Sequence, residues 1–406
     1  MTRATVLLGV LAAATGVLAG DTPLPPQASR PRVVLAYDGT GDYGPSTPGT
    51  LTAGWQEALN DCMASHRDLY VQGGWGGRKP VYNVRETIRI PASQDFRIDG
   101  GIYVLNWIGP AEKDLLLVDS GMDCHYRFGN LVYGGRGAAL RVRPESPVPI
   151  DKFAVFIDSH VSASSIADPQ PFKRGRREGG TGVVFDTSKA AIVHATFVFT
   201  AVLNFATCID VPPKGQAFAH NDLLCGHLHT NADGSTLLRL PGHANQNTLK
   251  VRIGVDQGAS DVTGIELHGT NNRLEVNSRG GFAAGRTVFL GASAKGNQIQ
   301  MLFGGLDLDG LVEDKATEAT NQCTWTGPPA PIRRLEVPSK DFTYTQRLFP
   351  ATVRLLGGDV RKLSLLRGKE TVELEGTREV LLSAGDRLRV QSDRPPSLLI
   401  VPVKVR

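Results

Sequence analysis

From Asn221 onward the chain repeats one short pattern of polar and apolar positions. Asn221-Asp-Leu-Leu-Cys225, Asn247-Thr-Leu-Lys-Val251, Asn272-Arg-Leu-Glu-Val276, Asn297-Gln-Ile-Gln-Met301 and Asn321-Gln-Cys-Thr-Trp325 can be superposed, with asparagines 26, 25, 25 and 24 residues apart. Each Asn is followed by apolar residues at +2 and +4, the alternation of a strand with those side chains inward. A second apolar stretch precedes most copies, as in Leu237–Leu240, Gly264–Leu267 and Thr287–Leu290, with Gly-His-Ala-Asn, Gly-Thr-Asn-Asn and Gly-Ala-Ser-Ala-Lys-Gly as turns between. A period this short, filled with strand residues, predicts a parallel β-solenoid. Stacked coils lie about 4.8 Å apart, so an Asn recurring at one turn can bond side chain to side chain with those above and below. The asparagines are therefore expected to be structural.

Before the repeat, Thr52–Cys62 places Trp55, Leu59 and Cys62 on one helical face with Thr52 as candidate N-cap. Such a helix would cap the first coil. Beyond Trp325 the pattern stops at Gly327-Pro-Pro-Ala-Pro331. From about Thr343 it gives way to short alternating bursts: Thr352-Val-Arg-Leu-Leu, Thr371-Val-Glu-Leu-Glu and Arg387-Leu-Arg-Val-Gln. Gly357-Gly-Asp and Gly385-Asp read as hairpin breaks, and the whole as a small antiparallel β module covering the last coil or making subunit contacts.

The chain resembles the pectate-lyase-like right-handed parallel β-helix superfamily, which includes carbohydrate-active enzymes and phage tailspikes. The resemblance rests on the repeat and on Asp38-Gly-Thr-Gly-Asp42, then Gly54-Trp-Gln-Glu-Ala-Leu59, Val81-Tyr-Asn-Val84 and Thr87-Ile-Arg-Ile-Pro91. These match in order the Asp-Gly loop, short helix and strand that open such a solenoid. The intervening Tyr43-Gly-Pro-Ser-Thr-Pro-Gly49 departs from the usual small and acidic run. The likeness spans roughly residues 33 to 330 in architecture and carries no specific catalytic motif. It implies an all-β fold, a polysaccharide partner and, as is common in the superfamily, a homotrimer.

With 46 Gly and 25 Pro in 406 residues, the composition agrees with a turn-rich β fold. A net charge of only +4, with no Lys/Arg-rich helix, argues against a nucleic-acid partner. The start, Met1-Thr2-Arg3 followed by an apolar run to Leu18, has the order of a secretory signal peptide and is too short for a comfortable membrane span. The expected organisation is a signal peptide at 1–19, a β-helix over 20–330 and a C-terminal module over 331–406, in a protein secreted or held at the cell surface. The five cysteines, Cys62, Cys124, Cys208, Cys225 and Cys323, match no zinc spacing; the last three read as core thiols.

On a β-helix, chemistry sits on outward side chains of neighbouring coils. Two recurring columns are candidates. One places Asp at the end of apolar strands: Asp119, Asp158, Asp186 and Asp210, the last three 28 and 24 residues apart. Carboxylates about 5 Å apart would suit a retaining glycosidase and about 6.5–9.5 Å an inverting one. An Asp before Ser or Thr also serves to cap a turn. The other column is mixed: Lys250, Arg252, Arg273, Glu275 and Asn277 outward, Arg279 just after, and His227 and His229 upstream, with His220 before Asn221. This surface could hold a uronate and abstract its α proton, as in a lyase or epimerase, or be an ion-paired solvated face. His194 and His268 are ambiguous alone.

The loop Ala167–Gly180 carries Lys173, Arg174, Arg176 and Arg177 and would favour an anionic glycan. No cofactor is implied; Asp256, Asp261, Asp307 and Asp309 would allow Ca²⁺ without forming an EF-hand. The sequence thus favours a glycoside hydrolase using Asp158, Asp186 and Asp210, with the basic face and loop holding substrate. Its rivals are a uronate lyase or epimerase and a non-catalytic glycan-binding or adhesive surface protein.

Overall fold

A computed structural model describes residues 32–74, 79–145, 149–163, 180–255, 259–278, 285–303, 312–326 and 332–403. The expected signal peptide at 1–19, the segment with Lys173 and Arg176, Arg279, and Asp256, Asp307 and Asp309 lie outside the described residues.

The described chain is nearly all β, with one helix, Trp55–Ser65. Its larger part is a right-handed parallel β-helix, whose handedness follows the general rule for parallel crossovers. One long sheet of 14 strands runs from Val33–Leu35 to Gln322–Trp325, and a second of 9 strands carries the other wall. All pairings within these two sheets are parallel, as between Thr248–Val255 and Arg273–Ser278. The architecture implied by the superfamily resemblance is thus the one the chain adopts.

Alternation drives this. Leu223, Leu249, Leu274, Ile299 and Cys323 stand opposite one another in register, as do Cys225, Val251, Val276, Met301 and Trp325, and all are buried. Each residue thus buries its side chain against its own copy one coil away, the arrangement that repetition rewards.

At one corner of every coil in this stretch lies the asparagine file. Asn221, Asn247, Asn272, Asn297 and Asn321 are at most 1% exposed, and the Nδ2 of each of the first four donates to the Oδ1 of the next at 2.9–3.1 Å. The second Nδ2 hydrogen goes to a backbone carbonyl, such as Ala244 for Asn272. Each Oδ1 also accepts the backbone N–H of the preceding Asn, so the amide's bonding capacity is met inside the corner. Upstream, Ala195 takes the Asn position and donates its N–H to Asn221 Oδ1. The residues before Ala195 and before the first four asparagines have a left-handed backbone: His194, His220, Gln246, Asn271 and Gly296. That conformation turns the corner, and Asn and Gly tolerate it best.

The helix buries Trp55, Ala58, Leu59 and Cys62, which extends the expected face by Ala58. Its N-cap is Gly54 in the left-handed region, with no side-chain cap, where Thr52 was expected. Thr52 Oγ1 nevertheless accepts the Gln56 N–H at 3.0 Å, because Gly54 turns the chain so that this hydroxyl faces the first helical turn.

At the other end, two four-stranded antiparallel sheets share a separate buried core including Val353, Leu363, Leu388 and Leu398. The Gly357-Gly358 and Gly385 breaks carry the chain from one of these sheets to the other, where hairpins were expected. The true hairpin joins Asp359–Arg367 to Glu370–Glu373 through Gly368. Leu348 bridges Gln322 and joins the solenoid core, and Phe349 meets Trp325 edge-on at 5.0 Å, so the entry to this region covers the last coil.

All five cysteines are buried free thiols, and burial pushes Cys62, Cys208 and Cys225 up to about 12. A thiol held protonated in the core is inert to oxidation.

Candidate functional site

Both sheets have an outward face with its own chemistry. On the long sheet, Lys250, Arg252 and Arg273 project outward as the alternation predicts. Lys250 stands opposite Glu275 in register and pairs with it at 3.5 Å, an exposed ion pair. Arg252 faces Asn277 one coil on. His227 and His229 lie farther along the same sheet with rings 5.1 Å apart, beside Gly254. His220 is on the corner, where its ring stacks on His194 at 5.2 Å and His194 contacts Asp151 at 3.0 Å.

Asp158 also belongs to the long sheet, within Ala154–Ser162, and pairs with Arg127 at 2.5 Å. It does not join Asp186 and Asp210, which sit on the second sheet. The reason lies in the interval: the 28 residues from Asp158 to Asp186 run from a strand of the long sheet to one of the second sheet, so they do not measure one coil. Along the long sheet, the coil step from Ala154 is to Thr196.

Asp186 and Asp210 are out of step as well. Asp210 stands opposite Val184, two residues before Asp186. Asp186 accepts the Ser188 N–H, and Asp119 accepts those of Ser120 and Glu145. These two acids have the turn-capping role. Asp186 also lies 3.6 Å from Arg141, whose Nε donates to Asp114 at 2.7 Å.

Asp210 differs. Its register neighbours on successive coils are Arg239, Glu266, Phe289 and Glu313, one outward column on the second sheet. Arg239 donates from Nη1 to Asp210 at 3.3 Å and from Nε to Glu266 at 3.2 Å, spanning two coils. The other oxygen of Glu266 meets His268 Nε2 at 3.0 Å. The two carboxyls are displaced in opposite directions. Burial pushes Asp210 up, more than the Arg239 charge and hydrogen bond pull it down. At Glu266 burial also acts upward, but the bonds from His268 and Arg239 outweigh it and hold the carboxyl below its ordinary value. Carboxyls displaced in opposite directions are the arrangement that acid–base chemistry requires. Two coils correspond to about 9.6 Å of backbone, near the upper end of the range for an inverting pair.

Sequence reading singled out Asp210 but not Arg239 or Glu266, which share its column. Glu266 and Arg239 each occupy the outward position before the last Leu of a strand, in Leu-Arg-Leu240 and Ile-Glu-Leu267. A search for charges at that position, with either sign allowed, would have placed them with Asp210.

Among the described residues no cluster of three or more His, Cys, Asp or Glu is placed to hold a metal ion, and no helix is long and apolar enough to cross a membrane. Asp261 is among the residues lining a cavity between the last coils and the C-terminal sheets.

No protein-family model and no curated protein matches the chain. Among solved structures it is similar to the enzymatically active domain of tailspike protein 2 of bacteriophage CBA120, with a TM-score of 0.35, 10% identity, and 87% of this chain and 68% of that chain covered. It is also similar to the Dettilon tailspike protein, with a TM-score of 0.29, 10% identity and coverage of 90% and 94%. A third is a tailspike protein from Acinetobacter baumannii bacteriophage Fri1, a capsular polysaccharide depolymerase, with a TM-score of 0.28, 10% identity and coverage of 93% and 84%.

Proposed function

We propose that the chain is an extracellular polysaccharide-processing enzyme, an inverting glycoside hydrolase with Asp210 as general acid and Glu266 as general base. The observation that carries this reading is the opposite displacement of two carboxyls in one outward column, bridged by a single guanidinium. A glycan lying along the second sheet would present its glycosidic oxygen to Asp210. Glu266 takes a proton from water as the water oxygen bonds to the anomeric carbon. The bond to the leaving oxygen breaks, and that oxygen receives the Asp210 proton. Arg239 then faces a newly charged Asp210 and a neutral Glu266, so its charge remains matched through the turnover. His268 orients the base through Oε1. The leader-like residues 1–19 support an extracellular place of action.

The test is a screen of the full chain against neutral and uronic polysaccharides, following reducing ends and ultraviolet absorbance together. The hydrolase reading expects reducing ends without new absorbance, and their loss in Asp210→Asn with binding retained. Appearance of an absorbing unsaturated product, or full activity in Asp210→Asn, would overturn it.

A further inference from the structure

The ring of His268, which hydrogen-bonds Glu266, lies across a residue with no side chain. The His268 backbone is fixed by its neighbours: its N–H donates to Leu240 O at 2.8 Å, and Ser293 Oγ donates to its carbonyl at 2.9 Å. Gly291 N–H donates to Leu267 O at 2.9 Å, which sets Gly291 one coil on from His268. A β-carbon added at 291 would stand 2.0 Å from Nδ1, 2.2 Å from Cε1 and 2.8 Å from Cγ of His268, so the imidazole already fills the space a side chain would take. Gly291 lies outside the left-handed region, so space and not conformation calls for glycine here. Gly269 and Gly285 differ: a methyl there would strike the backbone carbonyls of Ala244 and Val262, each at 2.0 Å. With its ring across Gly291 and inclined to the Phe289 ring at 5.9 Å, His268 directs Nε2 to Glu266 Oε1 at 3.0 Å.

We propose that Gly291 is a positioning residue for the base: having no side chain, it leaves room for the His268 ring and so holds Nε2–H on Glu266 Oε1. The proposal rests on the acid–base reading above and adds to it a residue of the next coil. Burial raises the Glu266 carboxyl, and the bonds from His268 and Arg239 lower it. Among the other charged groups of the column, Arg239 bridges Glu266 to Asp210, and Glu313 is paired with Arg286 and Lys315. An alanine at 291 acts on His268 first, because the nearest atoms it meets belong to a side chain that can swing out while the coil stays in place. The ring then leaves Oε1, the strongest downward influence on Glu266 is lost, and the carboxyl titrates higher. A base of this kind is protonated over more of the acid range, which moves the acid limb of the rate profile to higher pH.

The test follows the Glu266 carboxyl of the full chain by carbon-detected titration in native protein, Gly291→Ala, His268→Ala and the double variant. Gly291→Ala is expected to move Glu266 upward, as His268→Ala does, and to add nothing on the His268→Ala background, because both changes remove one bond. An unmoved Glu266 in Gly291→Ala, or a double variant in which the two single shifts add, would overturn the proposal. Should Gly291→Ala fail to fold, the double variant decides. Folding restored by removing the ring shows that ring and methyl compete for one space; continued failure shows that the backbone itself requires glycine, and overturns it. A native chain that releases no reducing ends from the polysaccharide panel, while Glu266 responds to Gly291→Ala as expected, would leave the hold on Glu266 standing and remove the hydrolase reading.

Discussion

Two columns of polar side chains climb this solenoid, and they obey opposite rules. The asparagine file is buried and uncharged, and every member repeats its neighbour's bonds. The column through Asp210, Arg239 and Glu266 is half-buried and charged, and it changes residue type at each coil. An amide bonds to its own copy, so stacking it selects one residue type; a carboxylate repels its copy, so a charged column must alternate in sign. Identity is conserved along the first column and complementarity along the second.

The sharpest way to break the comparison is to remove one member of each. Asn272→Ala leaves two N–H donors of Asn247 without an acceptor and strips a donor from Ala244 O and Asn297 Oδ1. With a buried unsatisfied group costing about 1–3 kcal/mol, a loss of about 4 kcal/mol in chemical denaturation is expected. Next comes Asp210→Asn, expected to reduce kcat at least a hundredfold, or about 2.7 kcal/mol, with stability little changed. If the two columns were equivalent scaffolding, this variant would lose stability and not rate.

A smaller effect concerns pH. Glu266 has a lowered carboxyl pKa, so its contribution to stability is present above the unfolded value and is lost as pH falls through the folded one. Glu266→Gln should flatten the acid side of the denaturation profile. Asp210, with a raised pKa, acts in reverse: its contribution is present below the unfolded value and lost as pH rises through the folded one, so Asp210→Asn should remove that loss. The least effect is expected from Lys250→Ala, since an exposed pair such as Lys250–Glu275 is worth less than about 0.5 kcal/mol; a larger loss would show that the long sheet's outer face is more than a solvated surface.

The same contrast explains what could be read from the sequence. The file was legible because one residue type recurs with matched apolar positions at +2 and +4, and the fold follows from it. The acid pair was only half legible. Asp158, Asp186 and Asp210 look alike in sequence because each ends an apolar run, yet one lies on a different sheet and one is two residues out of step. Equal spacing measures a coil only when both ends lie on the same sheet, and Asp158 and Asp186 do not. Glu266 was hidden because its partner across the coil is an arginine, so a search for like residues passed over it. Thr52 was misplaced as N-cap because a left-handed Gly54 takes that position, a backbone choice that hydrophobic periodicity does not encode.

The central claim is that two carboxyls of the second sheet, bridged by one guanidinium, are displaced in opposite directions, Asp210 upward by burial and Glu266 downward by its bonds to His268 and Arg239. Carbon-detected titration of side-chain carboxyls, with Asp210→Asn and Glu266→Gln used for assignment, measures this directly. Asp210 is expected to titrate above an ordinary aspartate and Glu266 below an ordinary glutamate. Coincident titration of the two groups, or the reverse order, would contradict the account.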